Sequence, residues 1–134
     1  MHARTATCCC GQLRAVCEGE PERVRLCNCT ECQRRTGSVY GVNAYFLRTH
    51  VRIEGGSKSF RRSSAAGRWV ETHFCPECGS TVCWQLEQML DVIGVAAGAF
   101  ADPNFPAPKA ANWTENKYHW VPLPGGISAH SKQT

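Results

Sequence analysis

The stretch Cys75-Pro76-Glu77-Cys78-Gly79 limits how this chain can fold more than any other. Its proline fixes one turn, its glycine opens the next, and two thiols at this spacing supply half of a tetrahedral metal site. A closed structural site needs four protein ligands, so another pair has to arrive from elsewhere in the chain. Cys8 and Cys10 can provide it. In an extended segment they share one face while Cys9 points away, and Gly11 permits the positive φ that turns backbone amides toward sulfur. One ion held by Cys8, Cys10, Cys75 and Cys78 would close a loop of ~65 residues, and much of the stability would then come from the metal.

A second cluster, Cys27-Asn28-Cys29-Thr30-Glu31-Cys32, puts three thiols within six residues. That is too dense for core packing and odd in number for disulfides. Structural zinc sites use four protein ligands, whereas catalytic ones usually keep the fourth position for water or substrate. The seven thiolates therefore read as one closed four-cysteine zinc site and one open site on Cys27, Cys29 and Cys32. A helical turn capped by Thr30, running through Arg35 and stopped at Thr36-Gly37, would favour thiolate charge there.

The remaining text describes an all-β chain. Residues 5–18 read as a hairpin turning at Gly11, since Leu13, Ala15 and Cys17 alternate with more polar neighbours. Cys9 and Cys17 are expected as small buried hydrophobes, and Cys83, between Val82 and Trp84, as core. Short β-rich runs follow at Arg23 to Leu26, 39–47, 51–54, 59–62, 69–74, 81–86 and 91–100, with turns at Gly55-Gly56 and over residues 63–67. Runs of this length and spacing argue for short antiparallel strands rather than helices. The 134 residues fit one domain, with a core over about 5–120 and a loose tail over 124–134.

Charge argues against a nucleic-acid partner. The formal net charge is +4, but that count treats each cysteine as neutral. Seven metal-bound thiolates and two zinc ions bring it to about +1, and no block of basic residues is present. No apolar run approaches a membrane span. The start, Met1-His2-Ala3-Arg4-Thr5, lacks the apolar region of a secretory signal. The expected compartment is the cytoplasm, where clustered cysteines bind metal or react more often than they form disulfides.

With these residues assembled, the chain resembles the glutathione-dependent formaldehyde-activating enzyme family, which also contains centromere protein V. The likeness rests on three motifs in order. C-x-C-G is here Cys8, Cys10 and Gly11. C-x-C-x-x-C with an arginine-rich turn and T-G-S is here Cys27, Cys29, Cys32, Arg34, Arg35, Thr36, Gly37 and Ser38. F-C-P-x-C-G-S is here Phe74 through Ser80. The resemblance covers residues 5–120. It implies a zinc-stapled all-β fold of twisted sheets, similar to the methionine sulfoxide reductase B type, with Cys8, Cys10, Cys75 and Cys78 structural and Cys27, Cys29 and Cys32 catalytic. One departure stands out. Members often carry a histidine-aliphatic-aromatic triplet with tryptophan seven residues later. Trp113 and Trp120 keep the spacing, but Ala111 and Asn112 occupy the first two positions.

The activity implied is that of a carbon-sulfur lyase, joining glutathione and formaldehyde reversibly into S-hydroxymethylglutathione. Glutathione carries two carboxylates, which arginines bind well; Arg34 and Arg35 are the first candidates, with Lys117 after them. Trp113 and Tyr45 are placed to wall a pocket, and Thr36 and Ser38 to donate hydrogen bonds near the metal. The competing reading is a zinc-stabilised binding module whose three-cysteine site is closed by His73, Cys83 or His119.

Overall fold

The computed structural model describes residues 2–64 and 66–133. Met1, in the expected leaderless start, Ala65, in the expected 63–67 turn, and Thr134, in the expected tail, lie outside them. The described residues form an all-β fold with one short α-helix. The strands are β1 (Ala3–Thr7), β2 (Arg14–Glu18), β3 (Arg23–Cys27), β4 (Gly41–Leu47), β5 (Val51–Glu54) and β6 (Lys58–Ser63). They continue with β7 (Trp69–Phe74), β8 (Thr81–Leu86), β9 (Val92–Ala96), β10 (Ala110–Asn112) and β11 (Ser128–Ala129). The helix, α1, spans Thr30–Thr36. No helix among the described residues is long and apolar enough to cross a membrane.

Two sheets result. A small one runs β1-β2-β5, and a large one runs β11-β10-β3-β4-β9-β8-β7-β6. Most pairs are antiparallel, as the spacing of short strands suggests. The exceptions are β10, which runs parallel to β3 on one side and to β11 on the other. A long excursion separates β3 from β10, so no hairpin forces them antiparallel. The core between the sheets holds Leu13, Phe46, Val82 and Val95, all essentially inaccessible, and Cys17 and Cys83 join it. Burial pushes the Cys17 thiol up to about 12 and the Cys83 thiol to about 11, so both stay protonated and pack as small apolar groups.

Four local expectations change. Cys9 is exposed, because β1 stops at Thr7 and Cys9 sits in the following turn, its N–H donating to Ser80 Oγ at 3.3 Å. The cap of α1 is Cys29, whose Sγ accepts from the Cys32 N–H at 3.3 Å, and not Thr30. The run at 91–100 is strand only over Val92–Ala96, after which Ala97–Phe100 tightens into a 3-10 turn. That turn brings Phe100 to 4.8 Å from Phe105 and 6.0 Å from Phe46. The tail is not loose: Ser128 N–H donates to Lys109 O, His130 N–H to Ala111 O and Trp113 N–H to Lys132 O.

One packing detail ties the sheet to the cleft described below. Gly94 lies opposite Trp84 in the β8–β9 pair, and a methyl group at residue 94 would overlap the Trp84 indole nitrogen. The bare Cα lets the indole lie across β9, where the Arg35 guanidinium stacks on it at 4.5 Å. Gly94→Ala is expected to lower stability by about 1–3 kcal/mol, read as an earlier urea midpoint with unchanged slope.

Candidate metal centres and the cysteine cleft

Cys8, Cys10, Cys75 and Cys78 converge, with all four sulfurs within 4.8 Å of one another. The Cys8–Cys10 and Cys10–Cys75 sulfurs are 3.6 Å apart. A tetrahedral site with Zn–S bonds of about 2.3 Å requires sulfur separations of about 3.8 Å, so the donor set fits a zinc-sized ion. Amide donors already point at the sulfurs: Leu13 N–H to Cys8 at 3.3 Å, Glu77 N–H to Cys75 at 3.3 Å and Gln12 Nε2 to Cys75 at 3.0 Å. Gln12 is itself held by Gly56, donating to its carbonyl and accepting from its N–H. The Cys78 thiol is pulled down to about 5, first by hydrogen bonds from the Ser80 side chain and backbone, which favours the ligating thiolate.

Cys27, Cys29 and Cys32 form a second group with sulfurs within 4.8 Å of one another. Cys27 ends β3, Cys29 caps α1 and Cys32 sits in its first turn, so the end of one strand and the start of the following helix deliver them. Asn28, fully buried between two of them, fixes the loop by donating its backbone and side-chain N–H groups to Asn112 O. Gly37, in a left-handed conformation, ends the helix by donating to Gln33 O at 2.8 Å. Among the described residues no further histidine, cysteine or carboxylate joins the three thiols. His73 lies beside Glu71, Cys83 is in the core and His119 is exposed.

The three thiols lie in a cleft of about 180 Å³. Its walls are aromatic, with Tyr45, Trp69, Trp84 and Trp113, while Arg62 and Arg68 come from the β6–β7 hairpin. Arg35 also lines it, but its guanidinium is occupied, stacked on Trp84 and donating to Asn43 Oδ1 at 3.1 Å. The other end of that carboxamide donates toward Cys32 Sγ at 3.8 Å. Cys32 is shifted down from the ordinary thiol range, first by hydrogen bonds from Cys27 and Cys29, then by the Arg35 charge and Asn43. Cys27 is shifted up, because hydrogen bonding to Cys29 and Cys32 keeps its proton and burial adds to that.

A family model described as glutathione-dependent formaldehyde-activating enzyme matches residues 3–116. The chain belongs to that family. A solved structure of a Rhodobacter sphaeroides protein, from a structural-genomics programme, is similar in fold, with a TM-score of 0.53 at 21% identity. The match covers 71% of this chain and 85% of that one. No curated protein matches the chain.

Within this glutathione-dependent formaldehyde-activating enzyme domain, the substrate-contact candidates divide. Arg35, Trp113 and Tyr45 line the cysteine cleft. Arg34 does not: its side chain is 74% exposed and pairs with Glu31 at 3.5 Å. Thr36 secures the helix end, its Oγ1 donating to Cys32 O at 2.8 Å and accepting from Ser38 N–H at 3.0 Å. Ser38 is exposed in that turn. Lys117 Nζ is used up by the carbonyls of Tyr118 and Val121. On a seven-residue helix, successive positions face different ways, so adjacency in sequence to the thiols does not give adjacency in space. Sequence reasoning missed Arg62, Arg68, Asn43 and Asn112, which strand pairing brings in from distant segments.

Trp113 holds its place under strain, with φ 55° and ψ 42°, a region that bulky residues avoid. The C-terminal segment secures it: Trp113 Nε1 donates to Gln133 Oε1 at 3.1 Å, and Lys132 Nζ lies 5.6 Å from the ring. That segment falls beyond the residues the family model matches.

Proposed function

We propose that this chain is a zinc-dependent carbon-sulfur lyase, which reversibly adds a thiol such as glutathione to formaldehyde or a related small aldehyde at Cys27, Cys29 and Cys32. The observation that carries the reading is the open three-thiol set at an arginine- and tryptophan-lined cleft. Cys8, Cys10, Cys75 and Cys78 would hold a second, structural zinc. A zinc ion at the open site would bind the incoming thiol and lower its pKa toward neutrality. In the addition, the new C–S bond uses a sulfur lone pair, the carbonyl π pair moves to oxygen, and the thiol's proton ends on that oxygen. Nothing is oxidised or reduced.

The protein's own groups have separable tasks. Three thiolates exceed the charge of a dication by one, and Arg35, fixed by Trp84 and Asn43, offsets that excess. The Tyr45 phenol, raised to about 12 chiefly by burial, stays protonated and can donate to the oxygen that gains charge. Arg62, which also pairs with Glu31 at 3.8 Å, and Arg68 line the cleft and would meet the carboxylates of the thiol substrate, while Trp113 and Trp69 would exclude water around it.

The test uses cobalt-substituted protein. Adding glutathione is expected to change its visible spectrum, and an unchanged spectrum at millimolar thiol would favour the non-catalytic binding module. A companion expectation concerns the rim. Replacing Arg62 and Arg68 together by glutamine should raise KM for glutathione by roughly 10-fold or more, with little effect on a carboxylate-free thiol such as 2-mercaptoethanol.

A further inference from the structure

Asn112 is 2% exposed, lines the cysteine cleft and pairs in register with Cys27. Its carbonyl is committed: it accepts from the backbone and side-chain N–H groups of Asn28, which holds β10 against the loop carrying the thiols. Its side-chain Oδ1 has no hydrogen-bond partner. A buried acceptor left unpaired opposes folding, and of the two such atoms among the described residues, Asn28 Oδ1 and Asn112 Oδ1, only the second belongs to a residue lining the cleft, where a ligand can bring the missing donor. The neighbouring carboxamide of Asn43 has no such vacancy, since Arg35 donates to its oxygen.

The chemistry proposed for the cleft creates one donor, on the oxygen that the aldehyde brings in without one. An aldehyde oxygen carries no hydrogen, and after C–S bond formation the same oxygen is a hydroxyl. An unpaired acceptor beside the thiols repels the first and binds the second. We propose that the Asn112 carboxamide reads the adduct hydroxyl, accepting its hydrogen at Oδ1, and makes the cleft selective for 1-hydroxyalkyl thioethers and hydroxylated thiols over plain alkyl thiols. This rests on the reading of the cleft as a thiol–aldehyde site. It makes Asn112 a specificity-determining residue of the cleft.

The experiment titrates the cobalt-substituted protein with two thiols of matched length, 2-mercaptoethanol and 1-propanethiol, and compares wild type with Asn112→Leu, a near-isosteric change that removes the acceptor. The quantity read is the ratio of the two dissociation constants in each protein, so the intrinsic hydrophobicity of the probes cancels. That ratio is expected to shift by about 10-fold against 2-mercaptoethanol in the variant. Equal ratios in the two proteins would overturn the role of Asn112 while leaving the thiol site standing. Failure of either thiol to alter the wild-type spectrum would sink the thiol-site reading and this inference together. Should the leucine variant not bind two metal ions, Asn112→Ala is read by the same ratio.

Discussion

Cys29→Ser is expected to abolish catalysed thiol addition, by roughly 10³-fold or more, while leaving a folded protein with one metal ion per chain in place of two. Of the three clustered thiols, Cys29 is the only one that is not buried, so its loss removes little packing. Its structural task is to accept the Cys32 N–H at the start of α1, and serine is among the best residues for that task. The helix should therefore persist, and with both proteins stripped of the ion at the three-cysteine site their unfolding free energies should differ by less than about 1 kcal/mol. Metal analysis together with a rate measurement checks both halves. Full activity in a protein retaining a single ion would remove the three-cysteine site from the mechanism.

The second large effect falls on stability. Cys75→Ser is expected to leave no cooperative unfolding transition at 37 °C. Cys75 is wholly buried and receives two donors, from Gln12 and Glu77, and a serine there keeps an acceptor but loses the thiolate that would ligate the metal. Cys10 and Cys75 are 65 positions apart, and a cross-link across a loop of that size restricts the unfolded chain by about 4 kcal/mol. Structural zinc in small domains contributes on the order of 10 kcal/mol, comparable to the whole stability of an ordinary domain of ~5–15 kcal/mol. Circular dichroism during heating reads the result. A variant melting within a few degrees of wild type would show that the staple is dispensable.

These two expectations fall on features legible in the sequence, because cysteine spacing is a geometric statement. A knuckle with proline and glycine, a C-x-C-G turn and a three-thiol cluster each specify local backbone and ligand number. Strand text such as 69–74 and 81–86 was equally legible, since its alternation matches the pleat. Contacts that depend on register were not. Arg62 and Arg68 reach the cleft only because β6 pairs with β7 at the far edge of the large sheet. Asn112 faces it only because β10 runs parallel to β3 with Cys27 opposite. The tail lacks periodicity, yet its backbone pairs with β10 and its last side chains brace Trp113, which no local pattern could announce. Cys9 misled for a simpler reason: its extended-strand reading ran two residues past the end of β1.

The central claim is that the three-cysteine cleft catalyses reversible thiol–aldehyde addition. Its most direct test is the exchange rate between free glutathione with formaldehyde and S-hydroxymethylglutathione at equilibrium, followed by magnetisation-transfer NMR with protein holding two zinc ions. Exchange well above the spontaneous rate is expected, proportional to protein and lost in Cys29→Ser. Exchange at the spontaneous rate with both sites filled would contradict it.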